Sequence, residues 1–210
     1  MTDSDIQYIR RKVLEWGRSN FKEFPWRHLS NQWHSLVVEI MLQRTKADQV
    51  EPVFLEFVER YPAPEDYLAD TDSRVFEHLG LPQRREWLKA LAEEIITNDI
   101  PTNRDDLLKL PGVGDYIASA FRSLHMNIHD RIIDSNVVRF YGRFFGFETH
   151  GETRRKRWFI ELAERITPER VHRDYNYALL DFSMNICTPA PLCPDCPLRR
   201  KCKFLRQSRG

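Results

Sequence analysis

The chain has 210 residues, of which 41% are hydrophobic and 30% charged, and its formal net charge is +1. This composition is typical of a globular protein and excludes a disordered chain, while the near-neutral charge gives no general sign of a nucleic-acid partner. No apolar run approaches the roughly 20 residues of a membrane helix, and the N-terminus has no apolar signal region. We therefore expect a cytoplasmic protein that does not associate with membranes.

Apolar residues recur at helical spacing along most of the chain, and proline and glycine separate the segments. The first segment, 4–18, places Ile6, Ile9 and Val13 on one stripe. No alternating run is long enough for a sheet, so we predict an all-α fold. The other predicted helices cover 33–45, Val50 to Val58, 72–79, Trp87 to Ile96, 114–125, 135–145, 153–166 and 173–185.

The predicted helix 33–45 carries a short row of polar side chains on an otherwise apolar sequence. Ser35, Glu39 and Gln43 share one face at this spacing. A solvated polar stripe is the ordinary interpretation of such a row. A carboxylate and an amide that project together also suit a binding or catalytic site, and the residues alone leave both interpretations open.

A glycine-rich hairpin is predicted in the middle of the chain, where 108–116 reads LKLPGVGDY. Pro111 is expected to end one helix, Gly112 and Gly114 to form a tight turn, and an apolar helix to follow. Glycines let the backbone approach a phosphate closely, and the free amides at the start of the next helix offer donors to an anion. The alternative is an ordinary turn between two helices with a glycine cap.

Asp134 follows the apolar pair Ile132-Ile133 and opens the predicted helix 135–145. An aspartate in this position is most often only the helix N-cap, whose side chain accepts a backbone N–H. Its position downstream of the hairpin gives it a second possible meaning, as a reactive carboxylate.

All four cysteines lie between Cys187 and Cys202, with the spacing C-x5-C-x2-C-x5-C. Disulfides are unusual in a reducing compartment, whereas clustered thiolates suit a soft metal. Zinc sites more often use two close pairs, and only Cys193 and Cys196 are so spaced, but zinc and an iron–sulfur cluster both stay open. The surrounding tail has a basic run that suits either a solvated face or phosphate contacts: Arg199, Arg200 and Lys201.

Taken in order from Phe24 to Lys203, these motifs resemble the helix–hairpin–helix (HhH-GPD) DNA glycosylase superfamily, in its endonuclease III and MutY branch, and within it the Mig mismatch glycosylases. The segments that carry the resemblance are FPWR at 24–27, VEIMLQRT at 38–45, the hairpin, the helix-opening aspartate and the cysteines. The resemblance implies two helical domains. One is a six-helix domain over 20–130 that contains the hairpin, and the other is an iron–sulfur domain formed by 1–19 and 131–210.

The resemblance implies that the protein flips a base out of the duplex and hydrolyses its glycosidic bond. Asp134 would be the catalytic carboxylate that stabilises positive charge on the sugar, and Glu39 would handle the proton of the base or water. Tyr116 takes the place of the lysine with which endonuclease III forms a Schiff base, so we expect a glycosylase without efficient strand cleavage.

The expected substrate is thymine or uracil opposite guanine, in double-stranded DNA with a mismatched or damaged base. Removal of adenine in the manner of MutY is the alternative activity, and Tyr116, Leu81 and the end of the chain at Gly210 argue against it. A non-catalytic module that binds DNA lesions is the alternative of another class. We expect a monomer, associated with the nucleoid in a prokaryote.

The same resemblance implies the DNA contacts. Gln43 would fill the space left by the flipped nucleotide, and Arg44 would contact the orphan base. Leu81 would be the apolar wedge that offsets part of the cost of unstacking. The other expected contacts are Gly112, Val113, Gly114, Asn136, Arg199, Arg200 and Lys201.

The family places a [4Fe–4S] cluster on its cysteines with the spacing C-x6-C-x2-C-x5-C. The first interval of this chain is one residue shorter, and Pro189 and Pro191 stiffen it. We expect a [4Fe–4S] cluster on Cys187, Cys193, Cys196 and Cys202, with zinc as the less expected occupant. Its expected role is to fold a basic loop against DNA phosphates, since hydrolysis needs no electron.

Overall fold

The computed structural model describes residues 2–71, 74, 75, 79 and 83–207. These residues form α-helices, two turns of 3-10 helix (Pro25–His28 and Thr153–Arg155) and a π-helical turn (Phe121–His125), with no strand among them, which confirms the all-α prediction. None of the described helices is long and apolar enough to cross a membrane. The α-helices are α1 (Asp3–Asn20), α2 (Gln32–Met41), α3 (Ala47–Arg60), α4 (Pro64–Ala69), α5 (Gln83–Thr97), α6 (Arg104–Leu107), α7 (Asp115–Ala120), α8 (Ser135–Phe145), α9 (Arg157–Ile166), α10 (His172–Asn185) and α11 (Lys203–Gln207).

The chain divides into two compact units, each with its own hydrophobic core. The central unit is the continuous segment Glu23–Met126, and the terminal unit combines Met1–Lys22 with Asn127–Gly210. Helices α2 to α7 therefore belong to the central unit, and α1 and α8 to α11 to the terminal unit.

Helix α2 lies inside the central unit, because every residue from Trp33 to Met41 is buried. Its apolar side chains join those of α3, α5 and α7 in one core. The polar side chains Ser35 and Glu39 are each only 2% exposed. The polar row of this helix is therefore not a solvated stripe, and each of its groups needs an internal partner.

The terminal unit is built around α1, α8 and α10. The predicted stripe Ile6, Ile9 and Val13 is buried against the aromatic side chains of α8 and α10. Arg10 also ties α1 to the end of α9, since its Nε lies 2.8 Å from the carbonyl oxygen of Ile166. A cation at a helix C-terminus satisfies carbonyl groups that have no partner within the helix.

Three predicted helices differ from those observed, and the one predicted over 153–166 begins as the 3-10 turn Thr153–Arg155 before α9. The helix predicted to run to residue 45 ends at Met41, because Gln43 turns back with its N–H 3.3 Å from the carbonyl oxygen of Ile40 and Arg44 has a left-handed φ of 56°. The helix predicted over 114–125 begins as α7 but finishes in the π-helical turn. The helix predicted over 72–79 lies largely outside the described residues, whereas the one predicted over 135–145 is confirmed as α8.

Candidate active site

Asp134 is the N-cap of α8, and both of its carboxylate oxygens accept hydrogen bonds. Oδ1 lies 2.7 Å from the backbone nitrogen of Val137, and Oδ2 lies 2.7 Å from Nδ2 of Asn136. The side chain is therefore fixed in direction before any ligand binds, which is what a preorganised electrostatic group requires. The amide of Asn136 donates to Asp134, and its expected contact with DNA stays a prediction.

Glu39 lies in the middle of α2 and pairs with a residue that sequence reasoning missed. His125, in the π-helical turn, places its Nε2 at 2.9 Å from Oε1 of Glu39, and both side chains are 2% exposed. The second oxygen, Oε2, is buried without a hydrogen-bond partner among the described residues. No pattern in the sequence indicates this pair, because the two residues are 86 positions apart.

Gln43 and Arg44 follow α2 in a turn that reaches the glycine hairpin. Nε2 of Gln43 lies 3.3 Å from the carbonyl oxygen of Gly112, and Arg44 is exposed. A left-handed φ is costly for a residue with a side chain and is found most often where the surrounding structure enforces it. Two of the predicted DNA-contacting segments, the Gln43 turn and the hairpin, are thus brought together within the central unit.

Arg84, at the start of α5, holds the turn of Gln43 and Arg44 through hydrogen bonds. Its fully buried guanidinium donates to the carbonyl oxygen of Gln43, to Oγ1 of Thr45 at 2.7 Å and to the carbonyl oxygen of Leu79 at 2.9 Å. Burial lowers the pKa of Arg84 from its usual value. The sequence places Arg84 beside the predicted wedge Leu81, but Leu81 itself lies outside the described residues.

The hairpin between α6 and α7 has two different glycines. Gly112 has a φ of 76°, which favours glycine, and a Cβ there would lie 3.0 Å from Cβ of Trp87. A Cβ at Gly114 would meet no atom within 4 Å, so packing within the protein does not require a glycine there. Val113 is buried and its N–H donates to the carbonyl oxygen of Leu110 at 3.1 Å, so neither its side chain nor its amide faces outward. Tyr116, in the first turn of α7, is half-buried.

All four cysteines line one pocket of the terminal unit. It holds about 340 Å³ of empty space, part of it open to solvent, and Phe140 and Leu198 complete its apolar wall. Burial raises the pKa of Cys187 and raises that of Cys196 to about 11.

The shape of this pocket bears on the kind of metal it fits. A zinc ion takes four sulfurs at about 2.3 Å around one centre, whereas an iron–sulfur cluster spreads its cysteines over several irons. Among the described residues, no three His, Cys, Asp or Glu side chains converge closely enough to hold a single metal ion. Four cysteine thiols around one pocket are a donor set that suits a soft metal or an iron–sulfur cluster.

Helix α8 and the N-terminus of α1 hold the cysteine loop in place. Nη1 of Arg143 lies 3.7 Å from Sγ of Cys187 and 2.5 Å from the carbonyl oxygen of Thr188, and Nε of Arg139 lies 2.8 Å from the carbonyl oxygen of Cys187. From α1, the hydroxyl of Tyr8 donates to the carbonyl oxygen of Pro197 at 3.2 Å.

The basic run after the third cysteine consists of Arg199, Arg200 and Lys201, whose surroundings differ. Arg199 and Arg200 are exposed, as phosphate contacts require. Arg199 also donates to the carbonyl oxygen of Pro194, and Nζ of Lys201 lies 3.2 Å from Oδ1 of Asp5 and 5.1 Å from the ring centre of Tyr8. The hydrogen bonds from Thr2, aided by Lys201, lower the pKa of Asp5 to about 2. Lys201 thus contacts α1, and its expected contact with DNA stays a prediction.

Comparisons with known proteins agree on one family. A model described as the HhH-GPD superfamily base excision DNA repair protein matches residues 37–165. The thymine/uracil-DNA glycosylase of Methanothermobacter thermautotrophicus is 36% identical, over 91% of this chain and 90% of that protein. The thymine-DNA glycosylase of Aeropyrum pernix is 35% identical, over 95% of each chain.

A solved structure described as a thermostable thymine-DNA glycosylase superposes with a TM-score of 0.91 at 32% identity, over 98% of both chains. These matches confirm both the resemblance and the glycosylase fold that the ordered motifs predicted. This chain therefore belongs to the HhH-GPD superfamily of base excision DNA repair proteins.

Proposed function

We propose that this protein is a monofunctional DNA glycosylase that releases thymine or uracil opposite guanine from double-stranded DNA. The observation that carries the proposal is the similarity, over about nine-tenths of both chains, to relatives named for thymine or uracil. The fixed carboxylate of Asp134 and the buried carboxyl of Glu39 supply the two acidic groups that such a reaction uses.

In the proposed reaction the N-glycosidic bond breaks and its electron pair leaves with the base. Asp134 stabilises the positive charge that develops on the sugar, because its two oxygens are already oriented by Val137 and Asn136. Glu39 provides the proton that the leaving base takes up. Water then adds hydroxide to the sugar and returns a proton, so that the products are a free base and an abasic site.

DNA would be held by the segments that the structure brings together in the central unit. The turn with Gln43 and Arg44 lies against Gly112 of the hairpin, and Arg84 fixes that turn from inside. The open space at Gly114 lets a phosphate approach the backbone of the hairpin. Arg199 and Arg200 would add phosphate contacts from the terminal unit.

Duplexes with a single T:G, U:G, A:G or A:8-oxoguanine pair test this proposal directly. After incubation with the full chain, alkali should cleave the T:G and U:G duplexes at the mismatched pyrimidine and leave the A:G and A:8-oxoguanine duplexes intact. Without alkali the strands should stay whole, because the phenol of Tyr116 cannot form a Schiff base with the sugar. Release of adenine would contradict the proposed substrate, and strand breaks without alkali would contradict the monofunctional mechanism.

We also propose that the cysteine pocket holds a [4Fe–4S] cluster with a structural role. Such a cluster would join Cys187, Cys193, Cys196 and Cys202 and fix the loop that carries Arg199 and Arg200. Arg143 lies beside Cys187, and its positive charge would offset part of the negative charge of the ligating thiolates.

Elemental analysis of protein purified without oxygen tests the cluster. We expect iron and acid-labile sulfide in equal amounts, and loss of both in Cys202→Ser, because one of four ligands is gone. Met184→Ser is a matched control, since this exposed side chain lies on α10 of the same unit. Protein that binds zinc and no iron would contradict the cluster.

A further inference from the structure

Glu39 and His125 form a pair that is almost fully buried in the central unit. Nε2 of His125 lies 2.9 Å from Oε1 of Glu39, with each side chain 2% exposed. Taking two ionisable groups out of water costs several kcal/mol, and an apolar pair of similar volume is often as stable or more stable. Stability alone therefore gives little reason for a glutamate and a histidine at these two positions.

The backbone makes a special adjustment to place His125 there. Helix α7 changes into a π-helical turn at Phe121–His125, which is closed by the N–H of Met126 at 2.9 Å from the carbonyl oxygen of Phe121. Such a turn contains one residue more than an α-helical turn, so the side chains after it point in a different direction. π-helical turns are rare and are found frequently at functional sites.

The two oxygens of the Glu39 carboxyl are in different situations. Oε1 is occupied by His125, whereas Oε2 is buried and has no hydrogen-bond partner among the described residues. A buried oxygen left in this way costs free energy unless a ligand or water completes it. Asp134 differs, because both of its oxygens are already hydrogen-bonded. Oε2 of Glu39 is therefore the atom of this pair that a ligand can still engage by a hydrogen bond.

We propose that His125 is the positioning residue of Glu39, holding the carboxyl so that Oε2 exchanges the proton with the leaving base. This inference rests on the proposed glycosylase function. His125 donates Nε2–H to Oε1 throughout. The proton on Oε2 passes to the base as the glycosidic bond breaks and its electron pair leaves with the base. The carboxylate left behind keeps the hydrogen bond from His125, and Oε2 regains a proton from the water that adds hydroxide to the sugar.

Other charged or titratable groups on α2 and on the elements packed against it have contacts of their own. Arg84 donates to Gln43 and Thr45, and Nε2 of His34 lies 2.9 Å from the carbonyl oxygen of Tyr61. Arg27 lies over the ring of Phe24, 5.5 Å from its centre. The charged or titratable groups on these elements that are at least partly buried include Arg27, His34, Arg84, Tyr116 and Arg122.

Two variants of His125 separate a positioning role from packing. His125→Leu removes the donor, whereas His125→Gln places an amide N–H at a similar reach. With a U:G duplex under single-turnover conditions, we expect His125→Leu to be roughly 10²-fold slower than the wild type and His125→Gln within about 10-fold of it. The dissociation constant for the duplex should stay within about 2-fold for both, because neither change alters a residue proposed to contact DNA.

The pH dependence of the single-turnover rate gives a second test, because a loss of packing alone would not shift the limb due to Glu39. The limb of the profile due to Glu39 is the one that disappears in Glu39→Gln. In His125→Leu the carboxylate loses a donor that stabilises its charged form, so this limb should move to higher pH. In His125→Gln, which keeps a donor, it should stay closer to the wild-type position.

The outcomes distinguish this inference from the function on which it rests. If the wild-type chain releases no base from any duplex, the proposed function fails. If the wild type is active but the Leu and Gln variants are equally slow and keep the wild-type limb, His125 only packs against α2 and the inference is wrong. Should His125→Leu fail to fold, judged by its thermal transition, a single-turnover rate of His125→Gln more than about 10-fold below that of the wild type would overturn the proposal.

Discussion

Asp134→Asn is expected to lower the single-turnover rate of base release by roughly 10²- to 10⁴-fold, the range found for removal of a positioned charge or acid–base group. Asparagine is as good an N-cap as aspartate, so its side-chain oxygen can still accept the N–H of Val137 that Oδ1 now accepts at 2.7 Å. The substitution therefore removes the charge and keeps the helix cap. The free energy of unfolding should change by less than about 1 kcal/mol.

The matched control for this variant is Asp174→Asn, which removes a carboxylate from the first turn of α10 in the same unit. Asp174 is exposed and has no proposed contact with DNA, so its variant should release base at the wild-type rate. Rates come from alkali cleavage of a U:G duplex with enzyme in excess. Wild-type rates in Asp134→Asn would remove this residue from the catalytic machinery.

Gly17→Ala is expected to destabilise the terminal unit by about 1–3 kcal/mol, the usual cost of overpacking. A Cβ at Gly17 on α1 would lie 2.3 Å from Cβ of Ala178 on α10, and 3.3 Å from its Cα. The two helices must then separate, since backbone cannot yield as a flexible side chain can. Alanine is favoured over glycine inside a helix by roughly 1 kcal/mol, which offsets only part of this loss.

Gly151→Ala is the control for that substitution, because a Cβ there would meet no atom within 4 Å. Its stability should equal that of the wild type within about 0.5 kcal/mol. Urea unfolding of the full chain, followed by far-ultraviolet circular dichroism, measures both variants. A Gly17→Ala protein as stable as Gly151→Ala would mean that α1 and α10 can separate at no cost.

Local patterns in the sequence were sufficient where a feature depends on neighbouring residues. The helix over 135–145 was predicted with its observed bounds, because its apolar stripe, its N-cap Asp134 and its C-terminal Gly146 all lie within one segment. The glycine hairpin was predicted for the same reason. The common pocket of the four cysteines follows from their spacing, although no pattern indicates which apolar residues line it.

Features that depend on distant residues could not be predicted in this way. Helix α2 ends early in a turn that Arg84, 41 positions after Gln43, contacts by donating to the carbonyl oxygen of Gln43. The partner of Glu39 was missed because it lies 86 positions away and its direction depends on a π-helical turn. The contact between Lys201 and Asp5 was missed for the same reason, because Asp5 lies near the other end of the chain.

Helix α8 links the cysteine loop to Asp134, so it determines whether a displacement of the loop moves that carboxylate. Its 11 residues form a rod about 16 Å long, and Asp134 caps its N-terminal end. Nearer the other end, Arg139 and Arg143 donate hydrogen bonds to carbonyl oxygens of the loop. Phe140 and Tyr141 bury this rod in the core, so strain in the loop can reach the carboxylate only by displacing the whole helix. We therefore expect Asp134 to keep its position when the interval between Cys187 and Cys193 changes in length.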